Sequence, residues 1–161
     1  MKIVSSKYKP LQPEAKKDII TLAKYLITKG VDYPLRLQKL LFFLRYEELK
    51  NKTTEGSYFA KNHNFEAWIY GPVNPTTYNL LQYYFAKEDE KDRYLLDLRT
   101  MWQIDRKYKA YFDKWNKFSS SQLIVRARRN YAWIKTRHDL EDHEPCTEKI
   151  NEQTEDFLEF L

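Results

Sequence analysis

A chain of 161 residues, 42% apolar and 16% aromatic, is long enough to bury a core in one domain and too apolar to remain disordered. Its single cysteine, Cys146, excludes an internal disulfide, and no stretch approaches the roughly 20 consecutive apolar residues of a membrane span. The net charge of +5 hides a split: residues 114–138 carry Lys114, Lys117, Arg126, Arg128, Arg129, Lys135 and Arg137 with no acid, whereas residues 139–161 are rich in Asp and Glu and hold one base, Lys149. Two such blocks are expected to pack side by side and neutralise each other.

In chain order, residues 1–12 read as a loose N-terminal arm, and 13–161 as a single domain. The arm lacks the apolar run of a signal peptide, so the expected location is cytoplasmic. Pro13 suits a first helical turn. Ala15, Ile19, Leu22, Ala23, Leu26 and Ile27 then recur at spacings of three and four, one apolar helix face, with Gly30 as its stop. Pro34 opens a second helix, with Leu37, Leu40, Leu41 and Leu44 as its stripe. Phe42 and Phe43 widen that stripe so far that the helix is expected at the centre of the fold. Residues 51–64 are polar and contain Gly56, which predicts a loop. Residues 65–69 are short and β-prone, a strand.

Tyr70, Gly71, Pro72, Val73, Asn74 and Pro75 read as turn chemistry throughout, with Asn74 and Pro75 capping and starting the next helix. Tyr78, Leu81, Tyr84 and Phe85 lie on one face of it. Residues 93–98 suit strand or helix. Met101, Ile104, Tyr108, Tyr111, Phe112 and Trp115 predict a long helix ending near Phe118, and Ser119 to Ser121 can cap another. A last helix is expected from about Thr147, with Ile150, Phe157, Leu158 and Leu161 inward. The fold class is therefore mainly α, one helical domain with a small β element near 65–69.

No catalytic or cofactor pattern stands out. The chain has no glycine-rich dinucleotide loop, phosphate loop, nucleophile elbow or zinc-protease helix. Asp and Glu are numerous and read as solvated faces. The stretch 138–146 gathers His138, His143, Cys146 and four acids, but at spacings that match no zinc site. The expectation is no metal, no cofactor and no enzymatic activity. A basic patch of Arg126, Arg128, Arg129, Lys135 and Arg137, interleaved with Tyr131 and Trp133, is the residue pattern that suits nucleic acid. The acidic segment after it opposes phosphates, so such binding is expected to be weak.

One string is distinctive: Glu66, Ala67, Trp68, Ile69, Tyr70, Gly71, Pro72, Val73, Asn74, Pro75, Thr76, Thr77 and Tyr78, preceded by Gln38, Lys39, Leu40, Leu41, Phe42 and Phe43. With these motifs the chain resembles the Panacea domain family, which includes SocA-like antitoxins and phage-associated GepA-like proteins. It departs from that family in having Arg128 near the place of a His that often precedes a late Trp, here Trp133, and in having Leu44 to Glu48 where small residues are common. The resemblance implies an antitoxin that neutralises a toxin encoded beside it by direct contact, or that passes the toxin to a protease. The alternative is a nucleic-acid-binding or regulatory phage-associated protein that uses the basic patch. The motif residues Glu66, Trp68, Tyr70, Gly71, Pro72, Val73, Pro75 and Tyr78 form a corner that either defines the fold or shapes a binding surface. Trp68, Tyr70, Thr76, Tyr78 and Arg128 are the candidate partner contacts, because interface hot spots favour Trp, Tyr and Arg.

Overall fold

The structure, a computed structural model, describes residues 16–86 and 92–161. The N-terminal arm, Pro13 and Ala15 lie outside the described residues. The expected fold class holds: among the described residues there are six α-helices and one two-stranded antiparallel sheet. α1 (Ile19–Thr28) begins after Lys16 and Lys17, which are not helical, because Asp18 accepts from Thr21 N at 2.8 Å and caps the helix there. Gly30 ends it with φ +101°, a conformation glycine adopts without a Cβ clash.

α2 (Pro34–Asn51) is the central element. Every residue from Leu37 to Glu48 is buried, polar ones included. It packs against α1, α3 (Pro75–Ala86), α4 (Leu98–Asn116), α5 (Ser120–Ala127) and the second strand. The Phe43 and Trp115 rings stack at 3.8 Å, joining α2 to α4. Phe42 meets Phe65 and Phe157 edge-on at 5.6 and 5.2 Å, joining α2 to the sheet and the C-terminal segment. Such pairs add roughly 0.5–1.5 kcal/mol each beyond their burial.

Helix starts follow local chemistry. Asn74 Oδ1 accepts from Thr77 N at 2.8 Å ahead of α3, and Asp97 Oδ1 accepts from Thr100 N at 2.7 Å ahead of α4. Ser119 and Gln122 form a reciprocal capping box on α5. Asn130 caps α6 (Tyr131–Thr136) through Trp133 N at 3.1 Å. Residues 93–98 resolve into a short 3-10 turn followed by this α4 cap. No helix among the described residues is long and apolar enough to cross a membrane.

Two expectations are corrected. The strand expected at 65–69 is β1 (Glu66–Trp68), but it pairs with β2 (Gly71–Val73), which lies inside the stretch that reads as turn throughout. Pro72 is tolerated because its partner Ala67 directs its own N–H away, to Glu148 O at 2.9 Å, so the pair asks no donor from the proline. The last helix from Thr147 is absent. The chain there is extended beside β1, with Ile150 N donating to Phe65 O at 2.9 Å, and only Glu155–Leu158 curls into a 3-10 turn. Ile150 and Phe157 are buried as expected, Leu158 is partly buried, and Leu161 is exposed. Pairing with the sheet edge outweighs a short segment's weak helical preference.

Candidate functional site: the Trp68–Tyr78 corner

The two halves of the distinctive motif meet in space. Gln38 and Lys39 on α2 lie under the hairpin formed by β1 and β2. Gln38 Oε1 accepts from Asn74 N at 2.8 Å, and its Nε2 donates to Thr77 Oγ1 at 3.0 Å. Lys39 is fully buried, and its Nζ donates to Pro72 O at 2.8 Å. Burial alone pushes the Lys39 amine down to about 7 from 10.5. Gly71 takes φ +110°, and a Cβ there would meet Lys39 Cε at 3.0 Å and Ala127 Cβ at 3.4 Å. Glycine is therefore required twice, by the backbone and by the close approach of α2 and α5.

The outer edge of the hairpin is equally well tied. Arg137 Nη1 donates to Ala67 O at 2.8 Å, and Trp133 Nε1 donates to Trp68 O at 2.9 Å. Asn74 Nδ2 donates to Asn64 O at 2.6 Å. Pro72, Val73 and Asn74 are buried and Pro75 half-buried, so these motif residues hold the corner.

What the corner presents to solvent differs. Trp68 is half-buried, its Nε1 donates to Glu66 Oε1 at 2.8 Å, and its ring meets Tyr78 at 4.8 Å, edge-on. Tyr70, at the tip of the hairpin, is 56% exposed. Trp68, Ile69, Tyr70 and Val73 join Leu35, Pro145 and Cys146 around an apolar pocket of about 350 Å³. Tyr78 lines a smaller pocket of about 140 Å³ with Pro34, Leu37 and Leu81. Thr76 is exposed but lines neither, and neither does Arg128. Arg128 is half-buried, its guanidinium 5.5 Å from the Trp133 ring centroid and 3.9 Å from Asp142.

The basic patch does not come together as one surface: Arg126 and Arg129 are neighbours, and Arg137 and Lys135 are engaged elsewhere. Arg137 is buried and also donates to Glu144 O at 2.6 Å, so it acts as a clamp inside the fold. Lys135 is paired with Asp156 at 2.8 Å, and Arg126 lies over the Phe118 ring at 4.2 Å. Arg129 is exposed near Arg126, beside Trp115 and Phe160. The basic and acidic blocks neutralise each other only in part, through Lys135 with Asp156 and Arg128 with Asp142.

Three carboxylates read as solvated are in fact buried. Glu152 Oε1 accepts from Arg45 Nε at 2.7 Å, while its Oε2 accepts from Asn64 N at 2.5 Å. Glu48 accepts from Tyr108 Oη at 2.6 Å and Ser57 Oγ at 2.8 Å, and Glu47 pairs with Lys114 at 3.0 Å. Burial, then the Glu48 charge, pushes the Tyr108 hydroxyl up. For Glu47 and Glu48 the available signal is their place on α2, since a helix buried all round buries its polar residues too, whereas Glu152 carries no such local signal. Among the described residues no cluster of His, Cys, Asp and Glu could hold a metal ion. Compared with family models, curated proteins and solved structures, the chain gives no match.

Proposed function

We propose that this chain is a cytoplasmic antitoxin that binds a toxin encoded by an adjacent gene through the Trp68–Tyr78 corner. The observation that carries the reading is the contrast within the motif: Gly71, Pro72, Val73 and Asn74 are locked inside, while Tyr70 and the apolar pocket beside it face outward. A rigid platform loses little entropy on binding, and a pocket bordered by Tyr and Trp suits the anchor side chain of a protein partner. The Panacea-like string 66–78, with Gln38 and Lys39 beneath it, supplies the toxin as partner. Transfer of the toxin to a protease is compatible with the same surface.

Co-expression with the adjacent gene product tests the reading. The product is toxic alone, and this chain relieves the toxicity and co-purifies with it. Tyr70→Ala keeps the fold and weakens the complex by about 1–2 kcal/mol, the size of a hot-spot truncation. A harmless neighbour, or toxicity unchanged by this chain with no complex formed, sinks the proposal.

A further inference from the structure

A larger cleft lies beyond the other end of α2. Lys39 and Asn51 are separated by roughly 18 Å along the helix, at 1.5 Å per residue. The cleft, of about 680 Å³, is bounded by the loop after α2, by Lys17 and by the outer face of α4. That volume lies within the range of ordinary small-molecule sites.

The floor of the cleft is firmly held. Thr53 N donates to Glu48 O at 2.9 Å, Ser57 Oγ to Glu48 Oε1 at 2.8 Å, and Tyr58 N to Tyr108 Oη at 3.0 Å. Lys107 Nζ donates to the carbonyls of Thr53 and Glu55 and sits 3.3 Å from Glu48. Lys107 is thus spent on the fold, and its charge is balanced.

The wall is different. Trp102 is 59% exposed, a large indole left in water. The Arg106 guanidinium lies 4.9 Å from its ring centroid. Neither Arg106 nor Lys17 pairs with a carboxylate among the described residues. Among the described residues, Glu55 is the one acid in the lining. Leu98, a turn before Trp102, is exposed but does not line the cleft.

We infer that this cleft binds a nucleoside phosphate, with the base stacked on Trp102 and the phosphate held by Arg106 and Lys17. The inference goes beyond the protein-binding reading and uses a different face. An exposed indole offers a π-face that any base can stack on, and a guanidinium resting on that ring keeps its N–H edge free for phosphate oxygens. The chain's net charge of +5 adds attraction for an anion. A free nucleotide and a nucleotide within a single strand share this chemistry.

The test is titration of the full chain with ATP, with inorganic triphosphate and with a short oligothymidylate, read by quenching of tryptophan fluorescence at low salt and again at moderate salt. ATP or the oligonucleotide quenches, more weakly as salt rises. Inorganic triphosphate binds at least about tenfold more weakly than ATP, since stacking is worth roughly 1–3 kcal/mol per base. Saturation by ATP identifies the free nucleotide as the source, and binding by the oligonucleotide alone identifies the single strand. Arg106→Gln weakens binding about tenfold, and Trp102→Ala abolishes the quench and weakens binding measured by anisotropy of a labelled probe. Glu55→Gln tightens it, and Arg126→Gln, on another face, leaves it unchanged. These side chains are exposed or at a rim, so an unchanged melting curve confirms that each variant is folded. Absence of binding by both ATP and the oligonucleotide at low salt overturns the inference. So does binding that survives both Trp102→Ala and Arg106→Gln, or triphosphate binding as tight as ATP.

Discussion

The two ends of α2 bury charge in opposite ways. Near its start, Lys39 is fully enclosed, and its bond among the described residues is to a neutral carbonyl, Pro72 O. Further along, Arg45, Glu47 and Glu48 each meet an opposite charge: Glu152 at 2.7 Å, Lys114 at 3.0 Å and Lys107 at 3.3 Å. An ammonium without a counterion persists in a core by being easy to neutralise. An ion pair persists through mutual attraction and full hydrogen bonding. The corner is therefore sensitive to pH, and the network to the loss of any one member.

The largest effect is expected where pairing is tightest. Glu152→Ala strands the Arg45 guanidinium and the Asn64 amide in the core, and breaking a buried pair costs about 3–5 kcal/mol. For a domain of this size that lowers Tm by roughly 10 °C. Thermal unfolding checks it. The double change Arg45→Met with Glu152→Leu should recover part of the loss, because no charge is left uncompensated. If the single variant melts like the parent, the network does not hold the fold.

A smaller effect is expected at the corner backbone. Gly71→Ala forces a side chain into φ +110° and against Lys39 and Ala127, whereas Gly30→Ala, at φ +101°, meets nothing within 4 Å. Left-handed strain alone costs about 1 kcal/mol, and crowding brings Gly71→Ala to about 2–3 kcal/mol. Denaturant unfolding of the two variants separates strain from contact. Equal losses would mean that α2 and α5 yield easily around the corner.

These differences also mark where sequence is legible. The central place of α2 is readable from Leu37, Leu40, Leu41, Leu44, Phe42 and Phe43, because apolar residues around a whole helix have one physical outcome. The caps at Asn74 and Ser119 are readable because they are local chemistry. Glu48 and Glu152 look like any other exposed acids until their partners arrive from Tyr108 and Arg45, 60 and 107 residues away. The second strand is hidden because Pro72 looks like a breaker unless the direction of the Ala67 amide is known. The absent last helix is hidden because Glu148 and Ile150 bond instead to the backbone of Ala67 and Phe65, about 80 residues earlier. At the candidate site, the motif string is visible as a string, but which residues face inward depends on Lys39 and Ala127 pressing on Gly71. Trp102 lies off the apolar stripe of α4, and its cleft needs the loop after α2 to complete it.

Lys39 gives the finest test of the contrast between the two ends. Its folded-state pKa is about 7 and its ordinary value 10.5. Above about 10.5 the amine is neutral in both states, and the stability linked to it is fully present. As pH falls through that window the unfolded chain takes up a proton that the folded chain refuses, so stability declines until the folded pKa near 7 is reached. Below it both states are charged and the slope vanishes. The free energy of unfolding should therefore rise by about 1 kcal/mol between pH 7 and pH 8, from the linkage of about 1.4 kcal/mol per full unit. The tyrosines do not blur this window: burial pushes the Tyr25 and Tyr108 hydroxyls up, so their contribution falls away only above about pH 10. Lys39→Met keeps the packing volume under Gly71 but has no proton to exchange, so its stability should be flat across pH 7–9. The variant still leaves Pro72 O without its donor, a constant penalty at every pH. Urea titrations of both proteins at pH 7, 8 and 9 read the difference directly. A parent protein with no slope, or a variant that keeps it, would place the ammonium in contact with water and remove the distinction between the two ends of α2.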